Sequence, residues 1–322
     1  MHIEKEPGIP GPDPGTVQSD YGVTIKETNS IEAEIHRLEA ELEDARRRLD
    51  AKRPRAAVHK KPPPSPHSLS APFLPPSTHH LLLLTDSALP LGAFAFSSGL
   101  ESFLAHSPKR PTSSPFTTFL PLSISTFAST TLPFTLAAHR DPSRLLYLDD
   151  ALDASLVCTV ARRASVSQGR ALIGLWERCF APSLPPDRDI ARYVAAVKAP
   201  APQHKPTDCV TNAPPSHLPR AAAHLAPLFG AVCAAAGLSA HQAAFVLVLG
   251  HVKALASAAV RAGVFGPYQA QRLLAGDEVR RLVDLAVQRE WATEVEDASQ
   301  TVPVMDLWVG RHELLYSRIF NS

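Results

Sequence analysis

The sequence predicts an all-α fold: a single globular bundle of about eight to ten helices behind a mostly disordered N-terminal extension that contains one short heptad helix. Three observations carry this. Ala and Leu dominate the second half of the 322-residue chain, and both favour helices. Apolar residues recur at helical spacing through one segment after another. No run alternates with period two, and only 7% of residues are aromatic, which argues against an all-β fold.

The elements follow in order. Residues 1–29 carry four prolines, few large apolar residues and mixed charge, the composition of a disordered segment. Residues 30–53 form a short amphipathic helix. Ile31, Ile35, Leu38, Leu42, Ala45 and Leu49 stand four and three apart in alternation, a heptad seam. Ser30 can cap its start, with Glu32 and Glu34 in the first turn and Arg46, Arg47, Arg48 and Lys52 towards the end, as the helix dipole favours. Residues 54–78, with Pro62-Pro63-Pro64 and Pro75-Pro76, read as an extended linker, so the compact domain is placed at 79–322. Within it, helices are expected over Ser97–His106 and over Pro115–Ala138, with kinks at Pro121 and Pro133. One or two more occupy Asp141–Phe180, where Leu145, Leu148, Leu152 and Leu156 form a stripe. A Pro-rich surface insertion at about 181–219 holds a short helix at Asp187–Lys198. Ala221–Ala236 and Ser239–Ala262 form an apolar pair joined at Gly237-Leu238-Ser239, with Ser239 as N-cap. A last helix starts at Gly266-Pro267 and runs to about Glu290.

Composition and motifs exclude several functions. Lys and Arg number 32 against 31 Asp and Glu, so the net charge of +1 gives no pull towards nucleic acid or an anionic membrane. Cys158, Cys179, Cys209 and Cys233 form no C-x-x-C pair, and charges and prolines occupy residues 1–14 where a secretory core would sit. A reducing, cytoplasmic compartment is expected. The uncharged stretches Pro111–Ala138 and Ala221–Val252 are interrupted by prolines, hydroxyls or histidines and read as buried helices. There is no G-x-x-x-x-G-K-[ST] phosphate loop, G-x-G-x-x-G, H-E-x-x-H or zinc-finger spacing. The adjacent His79 and His80 read as an exposed pair, and His241 and His251 as core histidines. Ala95–Gly99 looks like a G-x-S-x-G nucleophile elbow but lacks the first glycine and a buried strand before it. Ser97 or Ser98 reads instead as a helix N-cap, with Glu101 completing a capping box from Ser98.

The most distinctive run is residues 81–101. After an apolar turn, Asp86 and Ser87 can cap backbone amides, Pro90 and Gly92 fix a turn, and Phe94 leads to Ser97, Gly99 and Glu101 at the start of the next helix. This run resembles the S-D-S-x-L-P-x-G-[AG]-[FY] stretch followed by S-x-G-L-E of the UreF family of urease accessory proteins. Further blocks follow in the family's order. Arg163-Ala164-Ser165 with Gln168-Gly169-Arg170 looks like its R-x-S…G-R segment. His224, Pro227, Phe229-Gly230 and Gly237-Leu238 match its His/Pro…Gly…Gly-Leu arrangement. Ala258–Arg261 with Gly266–Leu274 is similar to its S-A-x-V-R…A-Q-x-L-L block, and Arg311–Ser322 to its terminal H-E-x-x-Y-S-R-[LI]-F-x-S. The resemblance runs from Leu81 to Ser322 apart from the insertion.

The resemblance implies an all-α, dimeric, non-enzymatic scaffold. It would bridge a UreD/UreH-type partner and the UreG-type GTPase in delivering nickel to apo-urease, with nickel and GTP handled by the partners. No catalytic, cofactor or metal residue is assigned. Besides the 81–101 motif, two blocks are expected to bind. His312, Glu313, Tyr316, Ser317, Arg318 and Phe320 have the aromatic and charged composition of a hot spot. Arg261, Gly266, Gln269, Gln271 and Arg272 offer polar groups at a helix entry. The alternatives are a nickel-binding metallochaperone using His79, His80 or His312, and a Ser97-based hydrolase.

Overall fold

The computed structural model describes residues 33–45, 47–48, 74–107, 115–199 and 221–321. The chain divides into two units, Met1–Ser70 and Ala71–Ser322. In the first, residues 33–45 and 47–48 form helix α1, all of them exposed. Ion pairs one turn apart lace it: Arg37 with Glu41 at 3.2 Å and Arg48 with Asp44 at 2.6 Å. The expected disorder at 1–29, the linker residues up to 73, and the seam positions Ile31 and Leu49 lie outside the described residues.

The second unit is all-α, with no strand among the described residues. Its helices are α2 (Pro76–Thr85), α3 (Leu100–His106), α4 (Pro115–Arg140), α5 (Leu145–Ser155), α6 (Thr159–Leu175), α7 (Arg188–Lys198), α8 (Leu225–Ala235), α9 (Ala240–Arg261), α10 (Pro267–Leu274), α11 (Asp277–Glu290) and α12 (Val304–Arg311). Helix α2 opens at Pro76, inside the linker expected over 54–78, because proline suits a first helical turn.

Helix α4 is the spine. It runs through both Pro121 and Pro133 as one element and buries Phe116, Phe119, Leu120, Ile124, Leu132 and Leu136. Helices α8, α9 and α11 pack against it. Helix α8 lies on it at backbone contact. A Cβ on Gly230 would sit 2.1 Å from the Thr135 carbonyl oxygen. The Thr135 hydroxyl donates to the Ala226 carbonyl oxygen at 3.0 Å across the same crossing. Helix α6 presses equally close at the entry to α8, where a Cβ on Gly169 would meet the Ala223 oxygen at 1.9 Å.

That entry corrects the expected start of the helix. Residues 221–224 are not helical, and Ala223 has φ 73°, in the left-handed region. The cause is Asp149 of α5, a fully buried carboxylate. It accepts the amides of Ala222, Ala223 (3.3 Å) and His224 (2.7 Å) and the Tyr193 hydroxyl (2.7 Å). Four donors compensate a charge that would otherwise be costly to bury. Burial and the same carboxylate push the Tyr193 phenol well above its ordinary pKa.

Tyr193 belongs to α7, which differs from the surface insertion expected at 181–219. Asp187 caps α7 through the amides of Asp189 (3.0 Å) and Ile190 (2.9 Å), and Ile190, Tyr193 and Val194 are buried in the core. Residues 200–220 lie outside the described residues. Downstream, the helix expected to reach Glu290 is two. Gly276 ends one and starts the other, with Asp277 and Glu278 in the new first turn. Ser239 caps α9 as expected, its hydroxyl accepting the Gln242 amide while the Gln242 side chain accepts the Ser239 amide. Among the described residues α9 alone is long and apolar enough to cross a membrane, yet more than half of its apolar window is buried inside the unit.

The Gly230→Ala substitution should lower unfolding stability by about 3 kcal/mol or more, since backbone faces the new methyl. Gly250→Ala on α9 meets nothing within 4 Å and should be neutral or slightly stabilising. Urea titration of both variants checks this; equal stabilities would contradict the crossing.

Candidate functional site

The loop after α2 is built from its polar and glycine residues. Asp86 Oδ1 accepts the Ala88 amide at 2.9 Å and its carbonyl accepts the Leu89 amide at 3.1 Å. Gly92, at φ 73°, leads into a single turn at Ala93–Ala95. Asp86, Ser87, Pro90 and Phe94 are exposed. Ser98 and Gly99 both have positive φ, 49° and 86°. Glycine is required at 99 for a second reason: a Cβ there would lie 3.0 Å from the Val309 nitrogen of α12.

Helix α3 therefore opens at Leu100, and the capping box expected from Ser98 does not form. The N-cap is Gly99, with no side-chain cap, so neither Ser97 nor Ser98 is the expected N-cap. Ser97 is fully buried, and its hydroxyl accepts the Glu101 amide at 3.4 Å. A hydrolytic nucleophile needs access that this burial denies.

The Glu101 carboxylate reaches across to the end of the chain. It accepts the Ile319 amide at 2.7 Å, the Phe320 amide at 3.2 Å and His312 Nε2 at 2.9 Å. Its side chain is 11% exposed, and that of His312 fully buried. Among the described residues His312 Nδ1 has no partner, so the proton sits on Nε2, towards the carboxylate. His312, expected on an exposed binding surface, is instead an internal brace. Next to it the Asn321 amide donates to the Ala95 carbonyl at 2.8 Å.

Cations complete the closure. Arg261, at the end of α9, donates to the Phe94 carbonyl, and its guanidinium lies 4.3 Å from the centre of the buried Phe320 ring. Arg163 of α6 pairs with Glu313, which Arg318 also binds at 3.1 Å. The Arg163 guanidinium, aided by Arg318, holds the Glu313 carboxyl below its ordinary pKa. Arg163 further donates to the Asn321 carbonyl at 3.4 Å. Three blocks distant in sequence, carrying Glu101, Arg163 and Arg261, thus converge on residues 312–321. Tyr316, Ile319 and Phe94 remain exposed there, as do Ser317 and Leu314. The arrangement fixes a backbone and presents aromatic and aliphatic side chains beside a charged rim, which is chemistry for docking.

Of the helix-entry block only Arg261 takes part in this closure. Gln269 accepts the Gly266 amide at 3.1 Å and so caps α10, while Gln271 and Arg272 are exposed. Sequence reasoning overlooked two groups. Arg163 had a signal, since it lies in a family-like block. Asp153 had none: with Arg162 (2.6 and 2.9 Å) and His224 (2.8 Å) it forms a second polar cluster at the α8 entry, and His224 Nδ1 is 3.0 Å from the Ser165 hydroxyl. The Arg162 guanidinium holds Asp153 below the usual carboxylate range. A cavity of about 380 Å³ under the 85–98 loop is lined by Thr126, Phe127, Ser165 and His251 among others. His251 stacks on Phe127 at 4.1 Å, contacts Ser123 at 2.9 Å, and burial lowers its pKa to about 3. His241 stacks on Trp291 at 3.6 Å. His80 Nδ1 is 3.3 Å from the Ala236 carbonyl oxygen. Among the described residues no group of three or more His, Cys, Asp or Glu side chains is placed to hold a metal ion.

Comparison with known proteins adds an independent finding. Residues 115–276 match the model of the UreF family. The chain is 34% identical over 245 residues to an uncharacterized urease accessory protein UreF-like of Schizosaccharomyces pombe, covering 76% of this chain and 97% of that one. It is 29% identical over 243 residues to urease accessory protein F of Oryza sativa subsp. japonica, covering 74% and 82%. It is 28% identical over 250 residues to urease accessory protein UreF of Paenarthrobacter aurescens, covering 76% and 99%.

Hydrogen bonds to a charged acceptor contribute about 1.5–3 kcal/mol each. Glu101→Ala should therefore speed hydrogen exchange at Ile319, Phe320 and Asn321 by about tenfold or more. Exchange in α4 and α9 should stay as it is. Unchanged protection of the last residues would contradict the closure.

Proposed function

This chain belongs to the UreF family, and from that premise we propose that it serves urease maturation as a non-catalytic, homodimeric scaffold. It bridges a UreD/UreH-type accessory protein and a UreG-type GTPase, and the assembly inserts nickel into apo-urease in the cytoplasm. Nickel is cargo and GTP is the GTPase's substrate; this chain supplies surfaces. The relatives' names support a place in urease maturation. The observation that carries the finer reading is the braced terminus. A chain end is ordinarily mobile unless tied down. Here Glu101, Arg163 and Arg261 fix it, while Tyr316 and Ile319 stay uncovered.

A preformed backbone carrying exposed anchors loses little conformational entropy on binding, which suits a stable assembly. We assign the Phe94–Tyr316–Ile319 surface to the UreD/UreH-type partner. Arg272 and Gln271, exposed on α10 and without a side-chain hydrogen bond or ion pair among the described residues, are assigned to the GTPase.

Two variants test this assignment by co-purification with both partners. Deleting Tyr316–Ser322 should abolish capture of the UreD/UreH-type protein and leave the helical circular dichroism signal unchanged. Arg272→Ala should fold normally, keep that partner and weaken GTPase recruitment by about tenfold, as hot-spot truncations do. Wild-type capture by the truncated chain would remove the terminus from the interface, and unaltered GTPase recruitment by Arg272→Ala would remove α10.

A further inference from the structure

Helix α1 has an apolar seam that none of the described residues of its unit covers. Ile35, Leu38 and Leu42 are 49%, 58% and 54% exposed. A soluble helix leaves such a stripe open only where something packs on it. The spacing identifies the occupant. Alternation of four and three is the repeat by which one helix receives another, with Ile35 and Leu42 at a positions and Leu38 and Ala45 at d positions.

We propose that α1 pairs antiparallel with the α1 of a second copy of this chain. The seam accommodates that orientation. In an antiparallel pair each a position faces a partner d position, so Ile35 meets Ala45 of the other copy and Leu38 meets Leu42. Charge among the described residues selects it. Antiparallel pairing sets g against g, which brings Glu34 opposite Arg48 twice across the dimer axis. Glu41 and Glu39 each meet their own counterpart once, on the axis. Parallel pairing instead sets Glu34 against Glu39 twice and offers Arg48 none of these glutamates. The helix dipoles also oppose one another only in the antiparallel pair. Arg48 already binds Asp44 within its helix at 2.6 Å, but a guanidinium has five N–H donors and can serve both.

The seam is short, so the contact is weak on its own and adds to any other contact between copies through effective concentration. It needs no contribution from the site around Glu101, and it stands whether or not the assignment of partners above is correct.

The test uses full-length chains with single cysteines on α1, oxidised at low salt. The parent chain, which has an exposed Cys179, is run beside them as background. A mixture of Leu38→Cys and Leu42→Cys chains should give a disulfide-linked dimer above background, and neither variant alone should. Adding Glu34→Arg to both chains should lower the yield by about twofold, as expected for an exposed ion pair. Adding Glu34→Arg and Arg48→Glu together should restore it. Linkage of Leu38→Cys with itself would establish parallel pairing and overturn the proposal. So would a yield from the mixture no higher than background.

Discussion

The structure depends on helix α8 being pressed between α4 and α6 at backbone distance. Gly230 allows one contact and Gly169 the other. The α4 contact falls within α8, and the α6 contact falls on Ala223, just before its first residue. Its entry is unwound, Ala223 takes a left-handed conformation, and the exposed amides are gathered by the buried Asp149. That carboxylate then recruits Tyr193, which pulls α7 into the core. One packing constraint thus sets the placement of α5, α6 and α7. Helices α8 and α9 are joined by a four-residue turn, so it also sets α9, whose far end carries Arg261 to the terminal site.

The terminal site uses the same device for a different end. Glu101, like Asp149, is a carboxylate that collects backbone amides from a distant segment. Asp149 does so in the interior and secures a helix start. Glu101 does so near the surface and secures a chain end, with side chains left outside it. A strong local anchor under an uncovered aromatic and aliphatic surface suits the proposed docking role: the backbone is fixed from within and side chains stay outside. No reaction is needed for this proposed role, and Ser97, the one candidate nucleophile of the motif, is buried.

Much of this was legible in the sequence, and the gaps have physical causes. Helical periodicity and the Ser239 cap are local signals, and both hold in the structure. The same is true of α7 as a helix, because Asp187 and the apolar spacing of Ile190, Tyr193 and Val194 are local too. Its burial was not legible, since that follows from a hydrogen bond to Asp149, 44 residues away. The start of α8 was misplaced for the same reason. At the site, the motif blocks were readable one by one, whereas their convergence was not. Glu101 looked like a capping-box residue because its partners lie more than 200 residues downstream. His312 looked like a hot-spot residue because composition cannot tell a brace from a contact.

Restoration of urease activity tests the central claim most directly. The full chain would be expressed with its cognate urease, UreD/UreH-type protein and GTPase in a host lacking its own UreF-type factor, with nickel supplied. The account predicts active urease with this chain, none without it, and a strong loss when Glu101 is replaced by Ala in a protein that still folds. Urease that matures equally well without the chain, or a Glu101→Ala protein that supports full activity, would contradict it.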